Sequence, residues 1–223
     1  MSQDAATDLF LALTPEKVLD AVDAAGLKTN PLCYPLTSFE TRVYEVELED
    51  RTRIIAKFYR PGRWTEAQIL EEHRFMQDLE EAEVPVCPVL PFEDGSTLKK
   101  QENIFYSLAE RRGGRAPDEL SFEVAERLGM MVGRMHAVAK SREATHRIRL
   151  DAQTYIRNNI EFLEDEDVIP GRFYTRYVDA AEAIADIADK LMAGVETHRL
   201  HGDLHLGNLL FRAGILNVLD FDD

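Results

Sequence analysis

The spacing of apolar and polar residues changes its period along the chain. Between residues 36 and 59 the two kinds alternate, so that Tyr44, Val46 and Leu48 share one face of an extended chain. Alternation with a period of two is typical of a β-strand with one buried face. The charged turn Glu49-Asp50-Arg51 divides the run, which therefore predicts an antiparallel hairpin.

Two later runs extend this hairpin to a small sheet. Val84 to Phe92 and Gln101 to Leu108 have the composition of strands on either side of the turn Asp94-Gly95-Ser96. Before them, Thr65-Glu66-Ala67-Gln68 has the form of a capping box and predicts a helix that ends near Glu81. The pattern indicates a sheet with one helix packed on it.

Beyond the pair Gly113-Gly114 the apolar residues recur at helical spacing. The pattern predicts helices near residues 122–139, 152–163 and 173–196, and a shorter helix is predicted to begin at Thr14-Pro15-Glu16. We therefore expect an α+β chain of two lobes. Residues 1–112 form a lobe with an antiparallel sheet, and residues 113–223 form a mainly helical lobe.

Composition and charge narrow the classes of function. The chain has 223 residues, of which 45% are hydrophobic, enough for a substantial core. Its net charge of −15 disfavours nonspecific binding to nucleic acid or to an anionic membrane. Cys33 and Cys87 lack metal-site spacing and are expected to be reduced core thiols. Met1 to Phe10 lacks the pattern of a leader and no membrane span is evident, so we expect a cytoplasmic protein.

The strongest chemical signal lies near the end of the chain, in His201-Gly202-Asp203-Leu204-His205-Leu206-Gly207-Asn208. Asp203 and Asn208 fit the kinase catalytic-loop spacing H-x-D-x-x-x-x-N, and Asp220 follows an apolar, strand-like run. Asn208 and Asp220 carry the hard oxygen ligands that Mg²⁺ prefers. Asp203 is then left to accept the proton of an acceptor hydroxyl, with Asp220 as the second catalytic carboxylate. These residue types also populate ordinary turns, but the combination with Asp220 favours phosphoryl transfer.

A second signal lies within the predicted sheet, where Lys57 is a single cation among apolar residues. In kinases a strand lysine contacts the ATP phosphates and pairs with a glutamate of the following helix. Glu71 and Glu72 both lie on that helix, and we prefer Glu72 because it shares roughly the face of Leu79. The alternative is a lysine that reaches solvent from an edge strand, with a solvated glutamate elsewhere.

The order of Lys57, Glu72, Asp203, Asn208 and Asp220 resembles the aminoglycoside phosphotransferase and choline kinase family, which has the protein-kinase-like fold. More narrowly, the segments 36–44, 57–65 and 68–73 resemble bacterial stress response kinases. The resemblance implies a bilobal enzyme that uses ATP and Mg²⁺ to phosphorylate serine or threonine in proteins, including itself, during stress. We also expect a monomer.

The resemblance also implies roles for individual residues. Asp203 is the proton acceptor, Asn208 and Asp220 are magnesium ligands, and Lys57 contacts phosphate. Ser38 lies near the nucleotide phosphates. Residues 108–111 are the hinge whose backbone meets the adenine.

Two departures from the family keep alternatives open. Residues 36–46 contain no glycine, so the hydroxyls of Ser38 and Thr41, or Arg42, are expected to replace a glycine-rich phosphate loop. The chain also ends three residues after Asp220, so the helical lobe is expected to be incomplete. The alternatives are a small-molecule kinase of the aminoglycoside, homoserine or choline type and a truncated, noncatalytic nucleotide-binding module.

Overall fold

The computed structural model describes residues 10–38 and 40–221, and its largest sheet contains five antiparallel strands. These are β1 (Thr29–Leu36), β2 (Thr41–Leu48), β3 (Arg53–Tyr59), β4 (Lys99–Gln101) and β5 (Ile104–Glu110). Their order in the sheet is β1-β2-β3-β5-β4, which places β3 at the centre. The predicted hairpin is confirmed as β2 and β3, with Val43 opposite Lys57.

Strand β1 did not emerge from the sequence pattern, and its composition explains why. Pro31 and Pro35 interrupt the alternation, and most of its residues are exposed or half-buried. Because proline lacks an N–H group, it is tolerated in strands at a sheet edge, which is where β1 lies.

The strand predicted at residues 84–92 is wrong. Pro85, Pro88 and Pro91 remove the N–H donor at every third position, so no regular ladder forms. The segment instead makes two isolated bridges, one from Val86 to Val218 and one from Val89 to Ala109. It thereby contacts both sheets of the molecule.

The strand predicted at residues 101–108 is divided in two. Glu102 and Asn103 both have positive φ angles, 46° and 67°, as a two-residue type I′ turn requires. Gln101 therefore ends β4, and Ile104 begins β5.

The first three predicted helices are confirmed as α1 (Pro15–Ala24), α2 (Glu66–Glu81) and α3 (Phe122–Ala139). The capping box of α2 forms, because the Thr65 side chain accepts from the Gln68 backbone N–H and the Gln68 side chain accepts from the Thr65 N–H. At the start of α3 the Ser121 hydroxyl accepts from the Val124 N–H, which is an N-cap without the reciprocal bond.

The later helices are α4 (Asn158–Asp165), preceded by one π-helical turn (Gln153–Arg157), and α5 (Gly171–Met192). A 3₁₀ turn (Leu206–Asn208) then leads into a two-stranded hairpin of β6 (Leu209–Arg212) and β7 (Ile215–Val218). The candidate catalytic segment thus precedes β6, and Asp220 follows β7.

Two apolar cores position these elements. The first packs α1 against the large sheet, with Val18, Val22, Phe58 and Tyr106 buried in it. The second joins α2, α3 and the β6–β7 hairpin, and its buried members include Phe75, Leu79, Met135, Leu209, Val218 and Phe221. This second core fixes the Glu72-bearing helix against the hairpin that leads to Asp220.

The chain divides into two compact units by its internal contacts. One comprises the residues up to His146 together with those from His198 onward, and the other is Arg147–Thr197. This division does not test the lobe boundary at Gly113-Gly114, which stays a prediction. None of the helices in the described ranges is long and apolar enough to cross a membrane.

Two smaller predictions concern the cysteines and the N-terminal residues. Cys33 and Cys87 are free thiols and are half-buried rather than fully buried. Burial raises the pKa of each to about 11, so both remain protonated near neutral pH. The leader analysis of residues 1–10 falls almost wholly outside the described residues, as do Asp222 and Asp223.

Candidate active site

Lys57 lies between two carboxylates that come from distant parts of the chain. Its Nζ is 2.8 Å from Oδ1 of Asp220 and 3.4 Å from Oε1 of Glu72. The Glu72 side chain is 2% exposed and that of Lys57 15%, whereas that of Asp220 is 42% exposed. Strand β3, helix α2 and the end of the β6–β7 hairpin therefore meet at one cation, which is open to solvent on the Asp220 side.

The two adjacent glutamates of α2 have separate partners. Glu71 accepts hydrogen bonds from the backbone N–H groups of Thr145 and His146, at 2.7 and 2.8 Å, and from the Thr145 hydroxyl. Residues i and i+1 of a helix point in different directions, so Glu71 holds the loop after α3 while Glu72 reaches Lys57. The Glu71 carboxylate therefore anchors a loop, and the Glu72 carboxylate lies at the candidate site.

Asp220 is held in an unusual backbone conformation by its neighbours. Its φ is +64°, in the left-handed region, which aspartate adopts more readily than most residues do. The next residue, Phe221, is 2% exposed and packs edge-on against Phe75 of α2 at 5.7 Å between ring centroids. On its other side Phe221 contacts the His201 ring at 4.6 Å.

His201 fixes the residue that precedes Asp220. Its Nε2 is 2.7 Å from the backbone carbonyl oxygen of Leu219. Because a carbonyl oxygen only accepts, this contact requires the proton on Nε2. His201 is buried, so it acts as a structural link between the segment that contains Asp203 and the segment that contains Asp220.

Hydrogen bonds of Asn208 order the segment from His201 to Asn208. The amide nitrogen of Asn208 donates to the backbone carbonyl of Asp203 at 2.9 Å, and the backbone N–H of Leu219 donates to the carbonyl of Asn208 at 2.9 Å. Asn208 is thereby tied to Asp203 on one side and to the neighbour of Asp220 on the other. The Asp203 side chain is 55% exposed, and its Oδ2 lies 3.4 Å from Nε2 of His205.

These contacts bear on whether a divalent cation fits the site. Asn208 uses its amide nitrogen on Asp203, which leaves the amide oxygen as its metal donor, and Asp220 supplies an exposed carboxylate. Mg²⁺ in phosphoryl-transfer sites uses one or two carboxylates together with phosphates and water. The donor chemistry therefore fits Mg²⁺, even though no group of three His, Cys, Asp or Glu side chains gathers as a metal site among the described residues.

Ser38 lies in the turn between β1 and β2. Its hydroxyl contacts the backbone carbonyl and the side-chain oxygen of Thr41, each at 2.7 Å. The same turn is bound to the loop before α2, because Glu40 lies 3.5 Å from Arg60 and 3.9 Å from Arg63. Arg42 instead lies over the Phe10 ring, at 5.4 Å from its centroid. The structure thus groups Lys57, Glu72 and Asp220, while Ser38 belongs to the adjoining turn.

The backbone of the predicted hinge is partly engaged. The Leu108 carbonyl accepts from the Leu90 N–H at 2.7 Å. The side chain of Arg111, and not its backbone, donates from Nε to Glu45 at 2.8 Å. The role of residues 108–111 toward adenine stays a prediction, as do the catalytic, nucleotide and metal roles of the residues above.

A buried histidine supports the strand that carries Lys57. His73 contacts the Tyr59 hydroxyl through Nε2 and the Thr97 hydroxyl through Nδ1, both at 2.9 Å. Burial, and secondly the positive charge of Lys57, lowers the pKa of His73 to about 3. His73 is therefore neutral at physiological pH and adds no charge near Lys57.

Sequence analysis did not single out Arg199 and Asp78, whose side chains are 2.6 Å apart and nearly buried. No short-range pattern joins two residues 121 positions apart in the chain. The sequence did contain one indication of this pair. Arg199 lies just before Leu200 and His201, and an arginine that is buried there needs an acidic partner.

Comparison with known proteins establishes the family. The model of the phosphotransferase enzyme family named APH matches residues 34–223. The chain belongs to this family. That match confirms the predicted family and enzyme class, and the protein-kinase-like α+β fold agrees with it.

Curated relatives give a narrower similarity within the APH family. The chain is 35% identical over 222 residues to stress response kinase A of Escherichia coli K12, and the match covers 96% of the chain and 65% of the relative. It is 35% identical over 215 residues to the serine/threonine protein kinase RdoA of Salmonella typhimurium LT2, with the same coverage. The chain therefore spans just under two thirds of the length of these relatives.

Solved structures agree with the fold. Amicoumacin kinase hAmiN, in complex with AMP-PNP, Ca²⁺ and Ami, superimposes with a TM-score of 0.74 at 20% identity, covering 92% of the chain and 63% of that protein. A microcompartment-associated aminopropanol kinase gives 0.70 at 20% identity, with 92% and 69% covered. At this identity the likeness carries the fold alone.

Proposed function

We propose that this protein transfers the γ-phosphoryl group of ATP to serine or threonine hydroxyls in proteins, with Mg²⁺ as the metal. The observation that carries the proposal is the position of Lys57 between Glu72 and Asp220. A lysine held by a buried helix glutamate beside an exposed carboxylate is the arrangement that kinases use for the phosphates and metal of ATP.

Each residue has one task in the proposed reaction. Lys57 binds phosphate oxygens, and Glu72 orients the lysine side chain. Asn208 and Asp220 would hold Mg²⁺, which neutralises charge on the phosphates when it is bound. Ser38 is proposed to lie near the same phosphates.

Asp203 acts on the acceptor rather than on the nucleotide. Its carboxylate is exposed, as a group that meets an incoming hydroxyl must be. The acceptor oxygen forms a bond to the γ-phosphorus as the bond to the β,γ-bridging oxygen breaks, and the hydroxyl proton passes to Asp203. ADP leaves with the electron pair of the broken bond.

The choice of acceptor rests on the relatives. One is named a serine/threonine protein kinase and others stress response kinases, and they share 35% identity with almost the whole chain. We therefore propose a role in a stress response and self-phosphorylation as well. Small-molecule transfer is the second candidate, because the fold neighbours include an amicoumacin kinase and an aminopropanol kinase. A cytoplasmic location and a monomeric state stay predictions.

The test is incubation of the protein with labelled ATP, Mg²⁺ and a generic protein substrate, with Asp203→Asn as the control. Label on substrate and enzyme that is lost in Asp203→Asn, with nucleotide affinity retained, supports a protein kinase whose base is Asp203. Transfer only to small amino alcohols would support the second candidate. Nucleotide binding without any transfer would contradict both.

A further inference from the structure

Helix α2 also carries Asp78, about one and two-thirds turns beyond Glu72. Asp78 is bound by Nη1 of Arg199 at 2.6 Å and by Nε of Arg142 at 3.2 Å. Burial raises the pKa of Asp78, but the hydrogen bonds from the two arginines outweigh it, so the net pKa lies below the usual value. The carboxylate therefore stays ionised and keeps both partners.

The two arginines differ in what else they contact. The Arg142 side chain is 57% exposed, and among the described residues its ion-pair partner is Asp78. The Arg199 side chain is 5% exposed. Its other nitrogens lie 3.4 Å from the carbonyl oxygens of Ala139 and Val138, in the last turn of α3, and its guanidinium lies 4.5 Å from the Phe75 ring centroid.

Arg199 is also close in the chain to the residues at the site. His201 is two positions later and binds the Leu219 carbonyl, which immediately precedes Asp220. Asp203 is four positions after Arg199. Asp78 and Arg199 therefore tie α2 to the segment that contains Asp203, and His201 of that segment contacts the residue before Asp220.

Two further anchors fasten α2 to the same part of the molecule. Glu71 binds the loop after α3 through three hydrogen bonds. Arg134 of α3 donates to the carbonyls of Ala82 and Glu83, just beyond the end of α2, each at 2.9 Å. These contacts tie the second half of α2 to α3 and to the loop after it.

We propose that Arg199 is a positioning residue, which holds the Asp203 segment in register with the helix that carries Glu72. The helix and the catalytic segment then move as one body, so that the Lys57–Glu72 contact persists without a separate activating event. This inference rests on the proposed kinase function for its catalytic consequence. Its structural content does not depend on turnover.

The experiment compares Arg199→Ala and Arg199→Lys with the matched control Arg142→Ala. All three alter an ion pair to Asp78, but only the Arg199 variants disturb the link to the catalytic segment. Lysine keeps the charge yet lacks the planar fork that reaches Asp78 and the α3 carbonyls together, and it is the variant to use if Arg199→Ala does not fold.

For the phosphorylation rate we expect kcat to fall about 10- to 100-fold in both Arg199 variants, with KM for ATP within about threefold. Arg142→Ala should stay within about threefold in both constants. Equal kcat values in the Arg199 and Arg142 variants would overturn the inference. A loss confined to KM would also overturn it.

Hydrogen–deuterium exchange gives a second measurement that needs no activity. We expect faster exchange in both residues 72–81 and residues 199–208 of the Arg199 variants, and no change at residues 199–208 in Arg142→Ala. If all variants exchange alike at residues 199–208, the link is absent. A wild-type protein without transfer activity would refute the proposed function, while this measurement would still decide the role of Arg199.

Discussion

The Nζ of Lys57 lies 2.8 Å from Oδ1 of Asp220, although 163 positions separate the two residues in the chain. The proposed ligands of these residues are a phosphate for Lys57 and a metal for Asp220. Nucleotide binding must therefore replace this ion pair with contacts to the metal and the phosphates. Loss of Asp220 should accordingly affect metal-dependent binding and metal-free binding differently.

Asp220→Ala is expected to weaken nucleotide binding in the presence of Mg²⁺ by about tenfold or more, because a metal carboxylate is lost. Metal-free nucleotide binding should be unchanged or stronger, since Lys57 loses a competing anion. Calorimetric titration with and without Mg²⁺ measures both values. Asp94→Ala is the control, because Asp94 is an exposed carboxylate paired with Lys99. Magnesium titrations that superimpose for wild type and Asp220→Ala would refute the metal assignment.

Substitution of the two adjacent glutamates of α2 should have different effects, one on activity and the other on stability. Glu72→Gln removes the buried charge beside Lys57, so kcat/KM should fall about 10- to 100-fold. Glu71→Gln leaves the site intact but weakens the bonds to Thr145 and His146, at a cost of about 1–2 kcal/mol in the free energy of unfolding. Steady-state kinetics and urea unfolding of the two variants test this. A reversed pattern would show that Glu71 serves the site.

His73 gives a prediction about pH. Its pKa in the fold is about 3, below the ordinary value of 6.5, so in this range only the unfolded chain takes up a proton at His73. The free energy of unfolding should therefore fall as pH drops from 6.5 toward 3, by at most about 1.4 kcal/mol per pH unit from this residue. His73→Gln removes that contribution. Urea unfolding between about pH 7 and about pH 5 should show a smaller loss of unfolding free energy in His73→Gln than in the wild type. An equal dependence on pH in the two proteins would contradict the lowered pKa of His73.

Gly114 should tolerate substitution less well than its neighbour. Its φ is +146°, and an added Cβ would lie 3.1 Å from Cβ of Leu210 and 3.3 Å from the Phe211 carbonyl oxygen. Gly114→Ala is therefore expected to destabilise the fold by about 1–3 kcal/mol. At Gly113 the atoms in the way belong to the flexible side chain of Arg212, which can move. Urea unfolding of the two alanine variants tests the difference, and equal stabilities would contradict it.

Structural features are predicted well from the sequence when the residues that form them lie a few positions apart in the chain. The capping box at Thr65 and the turn at Glu49-Asp50-Arg51 involve residues a few positions apart, and both form as expected. The spacing of Asp203 and Asn208 is also local, and the structure links them by a hydrogen bond between the Asn208 side chain and the Asp203 backbone. Short-range patterns of this kind can be recognised without knowledge of the tertiary fold.

Prediction from the sequence fails where proline prevents regular strand pairing, or where a contact depends on long-range packing. The apolar residues from Val84 to Phe92 suggested a strand, but three prolines removed the donors that a ladder requires. Proline likewise hid β1, whose pairing with β2 is set by the sheet rather than by its own alternation. The Asp78–Arg199 pair depends on how α2 packs against the segment that contains Asp203, which no local spacing encodes.

The proline segment from residue 84 to 91 also bears on association between molecules. It bridges to Ala109, in the part of β5 that β4 does not pair with, and to Val218 of β7 in the two-stranded hairpin. Both places would otherwise offer backbone groups to a strand from another chain. An ordinary strand at these places would itself present free N–H and C=O groups to another chain. A segment with proline at every third position lacks the N–H donors that pairing with a further strand requires. Pro31 and Pro35 have the same effect on β1 at the outer edge of the large sheet. The prolines that misled the sequence analysis at both segments are thus expected to disfavour pairing with strands of other chains.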